Sequence, residues 1–264
     1  MPQTLGISVV IRNKNQSQAL EFLLKNLTSR YFDQINEIIV LDNCSTDTSR
    51  AISEKHRVRF EVIKEFSYGG SANRAAEVAN FPIVVMFSAH AYPVSHDFFT
   101  SIRLEFQKNQ NLAGVRCLHN PNDYVNYIEN ISSKQDPNKS GLIFCGSAFS
   151  KRVWEKHQFK SDITTFEDKE WSVRVLKAGY DIVLAPAIFC YDIKRTKKQE
   201  FFRYKNELIG AYQLWHKDIS LKYAVKSFLG SCLKIFSNLF SDLYYALKKL
   251  FIHLKFLTKR PDKF

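Results

Sequence analysis

A chain of 264 residues with 45% hydrophobic content is long enough for one globular α/β domain and an appendage, without disulfide or metal staples. The net charge of +12 is concentrated in residues 220–264, where eight Lys and one Arg against two Asp give +7. Because the rest of the chain carries only +5, the composition argues against a nucleic-acid-binding protein.

The beginning of the chain and its cysteines predict a protein of a reducing compartment. Gly6–Ile11 is too short for the apolar segment of a signal peptide and lacks a basic lead. The five cysteines are odd in number and form no C-x-x-C pair, which argues against a disulfide framework and a cysteine-based zinc site. We therefore expect the protein to stay in the cytoplasm.

Short apolar strands alternate with segments of helical spacing along the first half of the chain. This alternation predicts a mostly parallel sheet with crossover helices, in which ligands bind beyond the carboxyl ends of the strands. Polar clusters stand at three of those ends, in residues 12–17, 42–47 and 88–90. In chain order, the predicted strands are 7–11, 37–41, 59–64, 82–87 and 114–118, and the predicted helices are 19–27, one opening at 42–47, 71–79 and 97–107.

The second half of the chain continues with a polar segment, two helices, a late strand and a basic tail. Residues 120–140 are rich in Asn, Asp, Ser and Pro, and we interpret them as a loop. Helices are predicted from Lys151 and over 166–178, and a strand over 180–184. From 221 to 257 apolar residues follow helical spacing but are interrupted by lysines, which predicts amphipathic helices and not a membrane span.

Five segments of the chain resemble the family 2 glycosyltransferases of the GT-A fold. They read ISVVIRNKN, EIIVLDNCSTDTS, FSYGGSANRAA, FCGSAFSKRVW and FEDKEWSVRVLKAGY, and their order and spacing over residues 5–192 make the resemblance specific. RNKN and FSYG are most similar to the bacterial branch that builds surface polysaccharides, including rhamnosyltransferases. The resemblance implies a Rossmann-like, mostly parallel sheet flanked by helices in residues 1–215, followed by a basic amphipathic helical tail in 216–264.

The resemblance also implies a donor nucleotide bound beyond the first strands. Asp42 matches the family position that accepts the imide N–H of uracil or thymine, with a helix cap or turn as the structural alternative. A segment that opens a helix at Tyr68 would attract the donor's anionic groups through free N–H donors, or it is an ordinary turn. The candidate nucleotide-binding residues are Arg12, Asn15, Asp42, Ser45, Tyr68, Gly69 and Asn73.

Ser88-Ala89-His90 stands where most members of the family carry an Asp-x-Asp pair that holds Mn²⁺ or Mg²⁺ on the donor diphosphate. His90 is a candidate Mn²⁺ ligand, and Asp192, where relatives often have a His, is a candidate second ligand. Alternatively, His90 and nearby cations neutralise the diphosphate without a metal, or the site is degenerate. The basic segment 194–198 either binds phosphate or is a solvated face.

The Glu-Asp pair before the helix at 166–178 matches the family's catalytic position. By this resemblance, Asp168 is the general base that takes the proton of the acceptor hydroxyl, while an acidic helix start is the structural alternative. Glu167 is a candidate for orienting Asp168 or contacting the acceptor. Trp171 is a candidate for packing against an acceptor sugar, or it is an ordinary buried Trp.

The sequence therefore predicts an inverting glycosyltransferase that moves a sugar from a UDP- or dTDP-linked donor to a hydroxyl of a lipid-linked bacterial surface glycan, such as capsule or O-antigen. The tail lysines suit an anionic membrane surface, which predicts a peripheral protein on the inner face of the cell membrane; the alternative is packing on the catalytic domain or on a partner protein. The rival function is a catalytically inactive nucleotide-sugar-binding or scaffold protein. A dehydrogenase is disfavoured because no G-x-G-x-x-G follows a strand.

Overall fold

The computed structural model describes residues 5–262 and contains alternating strands and helices. The strands are β1 (Ile7–Asn13), β2 (Glu37–Asp42), β3 (Arg59–Val62), β4 (Ile83–Ser88), β5 (Ala91–Pro93), β6 (Leu112–Leu118), β7 (Gly146–Ser150) and β8 (Asp181–Tyr191). The helices are α1 (Ser17–Arg30), α2 (Ser49–Lys55), α3 (Tyr68–Val78), α4 (Phe98–Lys108), α5 (Pro121–Ile128), α6 (Pro137–Ser140), α7 (Lys151–Lys156), α8 (Glu167–Lys177), α9 (Lys197–Trp215) and α10 (Leu221–Thr258).

Within the described residues the strands form one sheet in the order β3-β2-β1-β4-β7-β6-β8-β5. β3, β2, β1 and β4 are mutually parallel, and β6 is parallel to β8. β7 runs antiparallel to both β4 and β6, and β5 runs antiparallel to β8. The predicted Rossmann-like sheet with flanking helices is therefore confirmed, with β7 inserted against the common direction.

The register of the parallel strands brings the predicted polar clusters to one edge of the sheet. Asn13 lies beside Asp42 across the β1–β2 pair, and Arg12 lies beside Ser88 across the β1–β4 pair. Parallel strands present their carboxyl ends on the same side. Side chains 29 or more residues apart in sequence therefore meet at this edge.

The two faces of the sheet bury separate apolar clusters because successive β1 side chains alternate between them. Val9 and Ile11 pack on one face with the buried leucines of α1, and Val10 packs on the other with the alanines of α3. Each fully buried leucine contributes roughly 1.5–3 kcal/mol relative to exposure. The leucines repeat at helical spacing, so the sequence pattern alone identified α1. They are Leu20, Leu23, Leu24 and Leu27.

The sequence predicts a loop over residues 120–140, but the structure contains two helices there, α5 and α6. Asn120 caps α5 by accepting a hydrogen bond from the Asp123 backbone N–H, and Pro121 occupies the first helical turn. Asp136 caps α6 in the same way before Pro137. A capping Asn or Asp followed by Pro is a helix-start signal, and the high polar content concealed it. β8 also continues past the predicted end at residue 184, to Tyr191.

The chain divides into two compact units, Met1–Trp215 and His216–Phe264. The second unit consists mainly of α10, which has 38 residues, none of them buried. Its apolar side chains follow helical spacing, as predicted. Among the described residues, no helix is sufficiently long and apolar to cross a membrane.

Candidate functional site

A cavity of about 800 Å³ opens at the carboxyl ends of β1, β2 and β4, and the beginnings of α8 and α9 form its opposite wall. Several residues proposed from the sequence line it, namely Arg12, Tyr68, Ser88, His90, Glu167 and Asp168. Its charged lining consists of Arg12, Lys14, Lys169, Arg195 and Arg203 with Glu167, Asp168 and Glu207. Basic side chains thus outnumber acidic ones, and the cavity attracts anions.

Asp42 is buried at the end of β2, and its hydrogen-bonding capacity is used within the protein. It accepts from Asn13 Nδ2 at 2.8 Å, from Ser45 Oγ at 2.6 Å and from the Ser45 backbone N–H at 2.7 Å. Because a carboxylate only accepts, the Asn13 amide must turn its NH₂ group towards Asp42. This leaves Asn13 Oδ1 buried and without a hydrogen-bond partner in the described chain.

Asn13 lines the cavity, whereas Asp42 is not among the lining residues of the described chain. The contact of Asp42 with a base stays a prediction. Within the described chain the Asp42 carboxylate orients the Asn13 amide, and Asn13 Oδ1 is left buried without a hydrogen-bond partner. Sequence reasoning assigned no role to Asn13, which lies in the RNKN segment. Only the β1–β2 register places its amide against Asp42.

Asn15 and Ser45 join the loops that follow β1 and β2. The Asn15 side chain accepts from the Thr46 backbone N–H at 2.8 Å, and the Asn15 backbone N–H donates to Ser45 Oγ at 2.8 Å. Asn15 has a φ of 49°, in the left-handed region that Asn tolerates. Within the described residues neither side chain lines the cavity. Their contact with the donor stays a prediction; within the described chain both side chains hold the two loops together.

The residues at the start of α3 have different surroundings: one lines the cavity, and the other two pack within the protein. Tyr68 lines the cavity, and the Arg12 guanidinium lies 5.6 Å from its ring centroid. A Cβ added to Gly69 would lie 2.0 Å from the Lys160 carbonyl oxygen, so this glycine serves backbone packing. Asn73 bonds to the Phe159 backbone and accepts from Trp154 Nε1 at 2.9 Å. The donor contacts of Gly69 and Asn73 stay predictions; within the described chain both residues make packing contacts.

Arg12 connects the end of β1 to the acidic start of α8. Its guanidinium donates to Glu167 Oε1 at 3.2 Å and to the Phe144 carbonyl at 2.5 Å. Both members of the Arg12–Glu167 ion pair are largely buried, with 12% and 5% of their side chains exposed. Removal of either partner would strand the other charge away from water, which is costly.

Glu167 and Asp168 are adjacent carboxyl groups with different partners. Burial and the neighbouring Asp168 charge raise the pKa of Glu167 to about 7, against the attraction of Arg12. Asp168 accepts from the Phe144 backbone N–H at 3.0 Å and from the Lys169 backbone N–H at 2.8 Å. Burial raises the pKa of Asp168, although these two bonds oppose the shift. Asp168 is thus a fixed carboxylate on the cavity wall with an increased proton affinity, as a general base requires.

Trp171 belongs to the core and not to the cavity. Its ring is fully buried, packs 4.9 Å from the Phe159 ring centroid, and donates from Nε1 to the His157 carbonyl. Its burial favours the alternative of an ordinary buried Trp, and contact with an acceptor sugar stays a prediction. It lies one helical turn beyond Glu167, on the side of α8 that faces the sheet.

His90 lines the cavity at the position of the absent carboxylates. Its Nδ1 lies 2.6 Å from Gln16 Oε1, so Nδ1 carries the proton and Nε2 keeps a lone pair. Nε2 is buried without a partner in residues 5–262. Burial, followed by the charges of Arg195 and Arg12, lowers the pKa of His90 to about 4. The imidazole is therefore neutral near pH 7 and supplies an acceptor, not a positive charge.

A divalent cation on a diphosphate needs hard oxygen ligands from the protein. Ser88 offers a hydroxyl and His90 one nitrogen, while Asp192 is exposed and outside the described cavity lining. Residues 5–262 contain no group of three or more His, Cys, Asp or Glu side chains that could hold a metal. The side chains present do not fit a Mn²⁺ or Mg²⁺ site: the Asp192 backbone N–H donates to the His90 carbonyl at 3.0 Å, but of the two residues only His90 lines the cavity in the described chain.

Sequence reasoning missed a histidine–aspartate pair on the cavity wall. His119 Nδ1 lies 2.6 Å from Asp123 Oδ2, and Arg116 donates to the other oxygen at 2.6 Å. Burial alone would raise the pKa of Asp123, but its hydrogen bond to His119 and the Arg116 charge outweigh burial and lower it. The His119 ring also stacks on Phe189 at 4.9 Å. The four-residue spacing of His119 and Asp123 around a capped helix start was the available signal.

The end of β8 and the start of α9 contribute two further basic residues, Arg195 of the predicted basic segment 194–198 and Arg203, to which sequence reasoning gave no role. Arg195 Nη2 donates to the Tyr191 hydroxyl at 2.8 Å, and Tyr191 lies 4.9 Å from the His90 ring. Arg203 pairs with Glu207 at 2.5 Å, and both line the cavity. The sequence places these arginines more than 100 residues after His90, so only the fold identifies them as its neighbours.

Comparison with known families gives one match that covers more than half of the chain. A model described as glycosyl transferase family 2 matches residues 8–157. This range contains β1 to β7 and α1 to α7, and therefore the strand ends that open onto the cavity. It stops before the acid pair of α8.

Two characterised relatives are similar in sequence over most of the chain. The O-antigen chain rhamnosyltransferase WbaN of Salmonella anatum is 29% identical over 196 residues, which cover 65% of this chain and 61% of that protein. The Methanococcus voltae dolichyl N-acetyl-alpha-D-glucosaminyl phosphate 3-beta-D-2,3-diacetamido-2,3-dideoxy-beta-D-glucuronosyltransferase is 25% identical over 232 residues, covering 75% and 70%. The match thus spans less than two thirds of the length of WbaN.

Solved structures with the same fold were crystallised with nucleotide sugars or nucleotides. The mannosyltransferase PcManGT from Pyrobaculum calidifontis, in complex with GDP-Man and Mn²⁺, superposes with a TM-score of 0.66 at 15% identity, covering 84% of this chain and 67% of that one. Glucosyl-3-phosphoglycerate synthase from Mycobacterium tuberculosis, with Mn²⁺, UDP and its product, gives 0.59 at 13% identity, covering 80% and 79%. At these identities the likeness shows the fold, which is GT-A.

Proposed function

Because the chain belongs to glycosyl transferase family 2, we propose that it transfers a sugar from a nucleoside diphosphate to a hydroxyl group of an acceptor glycan. One observation carries this proposal. A single basic cavity has an unpartnered amide acceptor at one end and a buried acid pair on its opposite wall. Such a cavity accommodates a nucleotide sugar and a base for the incoming hydroxyl.

The donor end suits a pyrimidine nucleotide. Uracil and thymine carry one imide N–H, and Asn13 Oδ1 is a buried acceptor held in place by Asp42. An unpartnered buried acceptor is unfavourable by about 1–3 kcal/mol, which a base N–H would recover. We therefore favour a UDP- or dTDP-linked donor, as the resemblance implied.

Asp168 serves as the general base in this proposal. The acceptor oxygen forms a bond to the anomeric carbon, its proton moves to an Asp168 oxygen, and the bond to the donor diphosphate breaks with its electron pair on the departing oxygen. A single displacement of this kind inverts the anomeric centre. The Arg12 guanidinium lies 3.2 Å from the carboxylate of Glu167, the neighbour of Asp168 in the chain. This ion pair fixes the start of α8 against the end of β1.

The acceptor proposed here is a growing bacterial surface glycan, such as capsule or O-antigen, on a lipid carrier. The support is the likeness to a rhamnosyltransferase named for O-antigen chains and the character of α10. This helix presents an apolar stripe and, on its other side, lysines. Helices of this kind bind anionic bilayer surfaces, where a lipid-linked acceptor would be located. We therefore propose a peripheral protein on the inner face of the cell membrane.

Vesicle sedimentation tests the membrane proposal with the full chain. We expect it to pellet with vesicles containing phosphatidylglycerol and to be released by salt. Leu239 and Leu243, both changed to Glu, place charges in the apolar stripe and should abolish pelleting. The matched control carries Asn238→Glu and Ser241→Glu, which lie on the opposite face by helical spacing. Equal behaviour of both double variants, or no pelleting of the natural chain, would assign α10 to a protein contact.

Donor use is tested by incubating the protein with UDP- and dTDP-sugars and measuring release of nucleoside diphosphate. Nucleotide binding is followed separately by thermal shift. The expected result is stabilisation by one pyrimidine nucleotide and release of its diphosphate from the matching sugar donor. If no nucleoside diphosphate or nucleotide sugar stabilises the protein, the proposed function is wrong.

A catalytically inactive nucleotide-sugar-binding protein is the second candidate, and the Ser88-Ala89-His90 segment favours it because the family's carboxylates are absent. It predicts thermal stabilisation by a nucleotide sugar together with no release of diphosphate from any donor and acceptor offered. Asp168→Asn would then leave every measurable property of the site unchanged.

A further inference from the structure

The phosphate end of the cavity contains three arginines where the metal-binding carboxylates are missing. We call Arg12, Arg195 and Arg203 the arginine cluster. All three line the cavity, together with the neutral His90. Of the basic segment 194–198, only Arg195 is among the lining residues of the described chain. The segment is therefore not a uniform solvated face, because one of its side chains has a defined place.

Tyr191 and His90 lie at the centre of the arginine cluster. Tyr191 accepts a hydrogen bond from Arg195 at 2.8 Å, and its ring lies 4.9 Å from that of His90. Arg195 and Arg12 both act on the His90 imidazole with their positive charge. Arg203 is close enough to Tyr191 and Tyr68 to be influenced by both. The three guanidinium groups thus line the same cavity as His90, and two of them act on its imidazole.

Arg195 is the member of the arginine cluster that has no carboxylate partner within residues 5–262. Arg12 is bonded to Glu167, and Arg203 is paired with Glu207. The bond from Arg195 to the Tyr191 hydroxyl uses one of the five N–H donors of its guanidinium. A planar guanidinium can bind two phosphate oxygens at once. Arg195 is therefore positioned to receive a bidentate anion.

We propose that Arg195, assisted by Arg12 and Arg203, binds the donor diphosphate directly and takes the place of a protein-held metal. As the bond between the anomeric carbon and the diphosphate oxygen breaks, that oxygen keeps the electron pair. The guanidinium groups stabilise the resulting negative charge, while the acceptor proton resides on Asp168. This inference rests on the proposed function and assigns its leaving-group site.

The test compares nucleoside monophosphates with diphosphates by isothermal titration in EDTA, with inorganic pyrophosphate as a third probe. The pairs are UMP with UDP and dTMP with dTDP. We expect the diphosphate to bind at least tenfold more tightly than the monophosphate, without metal. Arg195→Gln should reduce that ratio about tenfold, the size expected for loss of a charged hydrogen bond. Arg195→Lys should retain part of the ratio, and Arg203→Gln should reduce it about threefold.

Lys194→Gln is the matched control, since it removes the same charge from the adjacent, exposed residue. It should change the ratio less than twofold. Thermal melting of each variant establishes that it is folded. Pyrophosphate should bind weakly to the natural chain and not measurably to Arg195→Gln.

Each outcome separates the arginine cluster from the proposed function. Two outcomes would overturn the proposed role of the arginine cluster and leave nucleotide binding intact. One is equal binding of monophosphate and diphosphate. The other is a preference for diphosphate that EDTA removes and that Mn²⁺ restores to the same extent in Arg195→Gln and in the natural chain. Arg195-dependent binding of pyrophosphate without any nucleotide binding overturns the proposed function and supports the anion site. Equal effects of Arg195→Gln and Lys194→Gln would show that general surface charge is responsible, which overturns the proposed role of the arginine cluster.

Discussion

The two ends of the cavity use their polar side chains in opposite ways. At the end formed by β1 and β2, Asn13, Asp42 and Ser45 bond to one another and leave a single acceptor open. At the end formed by His90, β8 and α9, Arg195 keeps most of its donors open. A base presents few hydrogen-bonding groups and requires orientation, whereas a diphosphate presents many oxygens and requires several donors. Each end is built for one of these demands.

The wall between the two ends is the place where the largest effect is expected. Asp168→Asn removes the proton acceptor but preserves the size of the side chain, and its single amide oxygen can accept one of the two backbone hydrogen bonds, which come from Phe144 and Lys169 to different Asp168 oxygens. We expect turnover to fall by about 10²–10⁴-fold, the range of general-base catalysis. The affinity for nucleoside diphosphate should stay within twofold, because neither end of the cavity has changed. Steady-state kinetics and isothermal titration measure the two quantities.

Asp162→Asn provides the matched control for Asp168→Asn, because Asp162 is exposed and precedes the same helix. It should retain full turnover. Full turnover of Asp168→Asn as well would move the base to another group on the wall, for which His119 with its Asp123 partner is available.

Asn13→Ala should weaken nucleotide binding at the end of the cavity formed by β1 and β2, because it removes the unpartnered Oδ1 acceptor. UMP should bind about tenfold more weakly, the cost of one buried hydrogen bond. Inorganic pyrophosphate should bind as before, because its site is at the other end. Isothermal titration with both probes gives the comparison, and Asn122→Ala, at an exposed position, is the matched control. A parallel loss of both probes would mean that Asn13 supports the whole cavity and not one end of it.

Sequence alone predicted the base end better than the phosphate end, for a physical reason. The polar clusters after β1 and β2 follow strands with clear apolar patterns, and parallel strands bring their carboxyl ends together. The sequence therefore placed these clusters at one edge of the sheet, but it could not show that the Asp42 carboxylate is bonded within the protein. That bond depends on the β1–β2 register, which sets the Asn13 amide against Asp42, and not on residue type.

The phosphate end was less predictable because its residues come from distant segments. Arg195 and Arg203 reach His90 only through the long β8 and the return of the chain into α9. A family-based expectation of a metal site directed attention to Asp192, which is exposed. The role of Trp171 was left open in the sequence for a similar reason. An aromatic residue near an acid pair is compatible with a sugar platform or with core packing, and only burial distinguishes them.

The acid pair itself should give the protein a pH-dependent stability. Burial raises the pKa of Glu167 from 4.5 to about 7, so the folded state holds a proton that the unfolded state releases. The contribution is fully present below pH 4.5, decreases as pH rises, and is lost above about 7. Chemical denaturation at pH 5 and pH 8 should therefore show a decrease of at least about 1 kcal/mol with rising pH.

Glu167→Gln isolates this contribution, because it cannot ionise but can still accept a bond from Arg12. The difference between the natural chain and the variant should change between pH 5 and pH 8. The effect of His90, whose pKa is lowered to about 4, runs in the opposite direction with pH and cancels in the difference. A difference that does not vary with pH would show that Glu167 is ionised throughout.

The smallest effect on activity is expected at Trp171. Its substitution distinguishes a role in the core from a role in acceptor binding. Trp171→Phe keeps a large ring against Phe159 but leaves the His157 carbonyl without its Nε1 partner. We expect a loss of about 1–3 kcal/mol in the free energy of unfolding. The acceptor KM should change less than twofold, because the ring is fully buried. A tenfold increase in acceptor KM with unchanged stability would return Trp171 to the acceptor site and make its burial a property of the unliganded state.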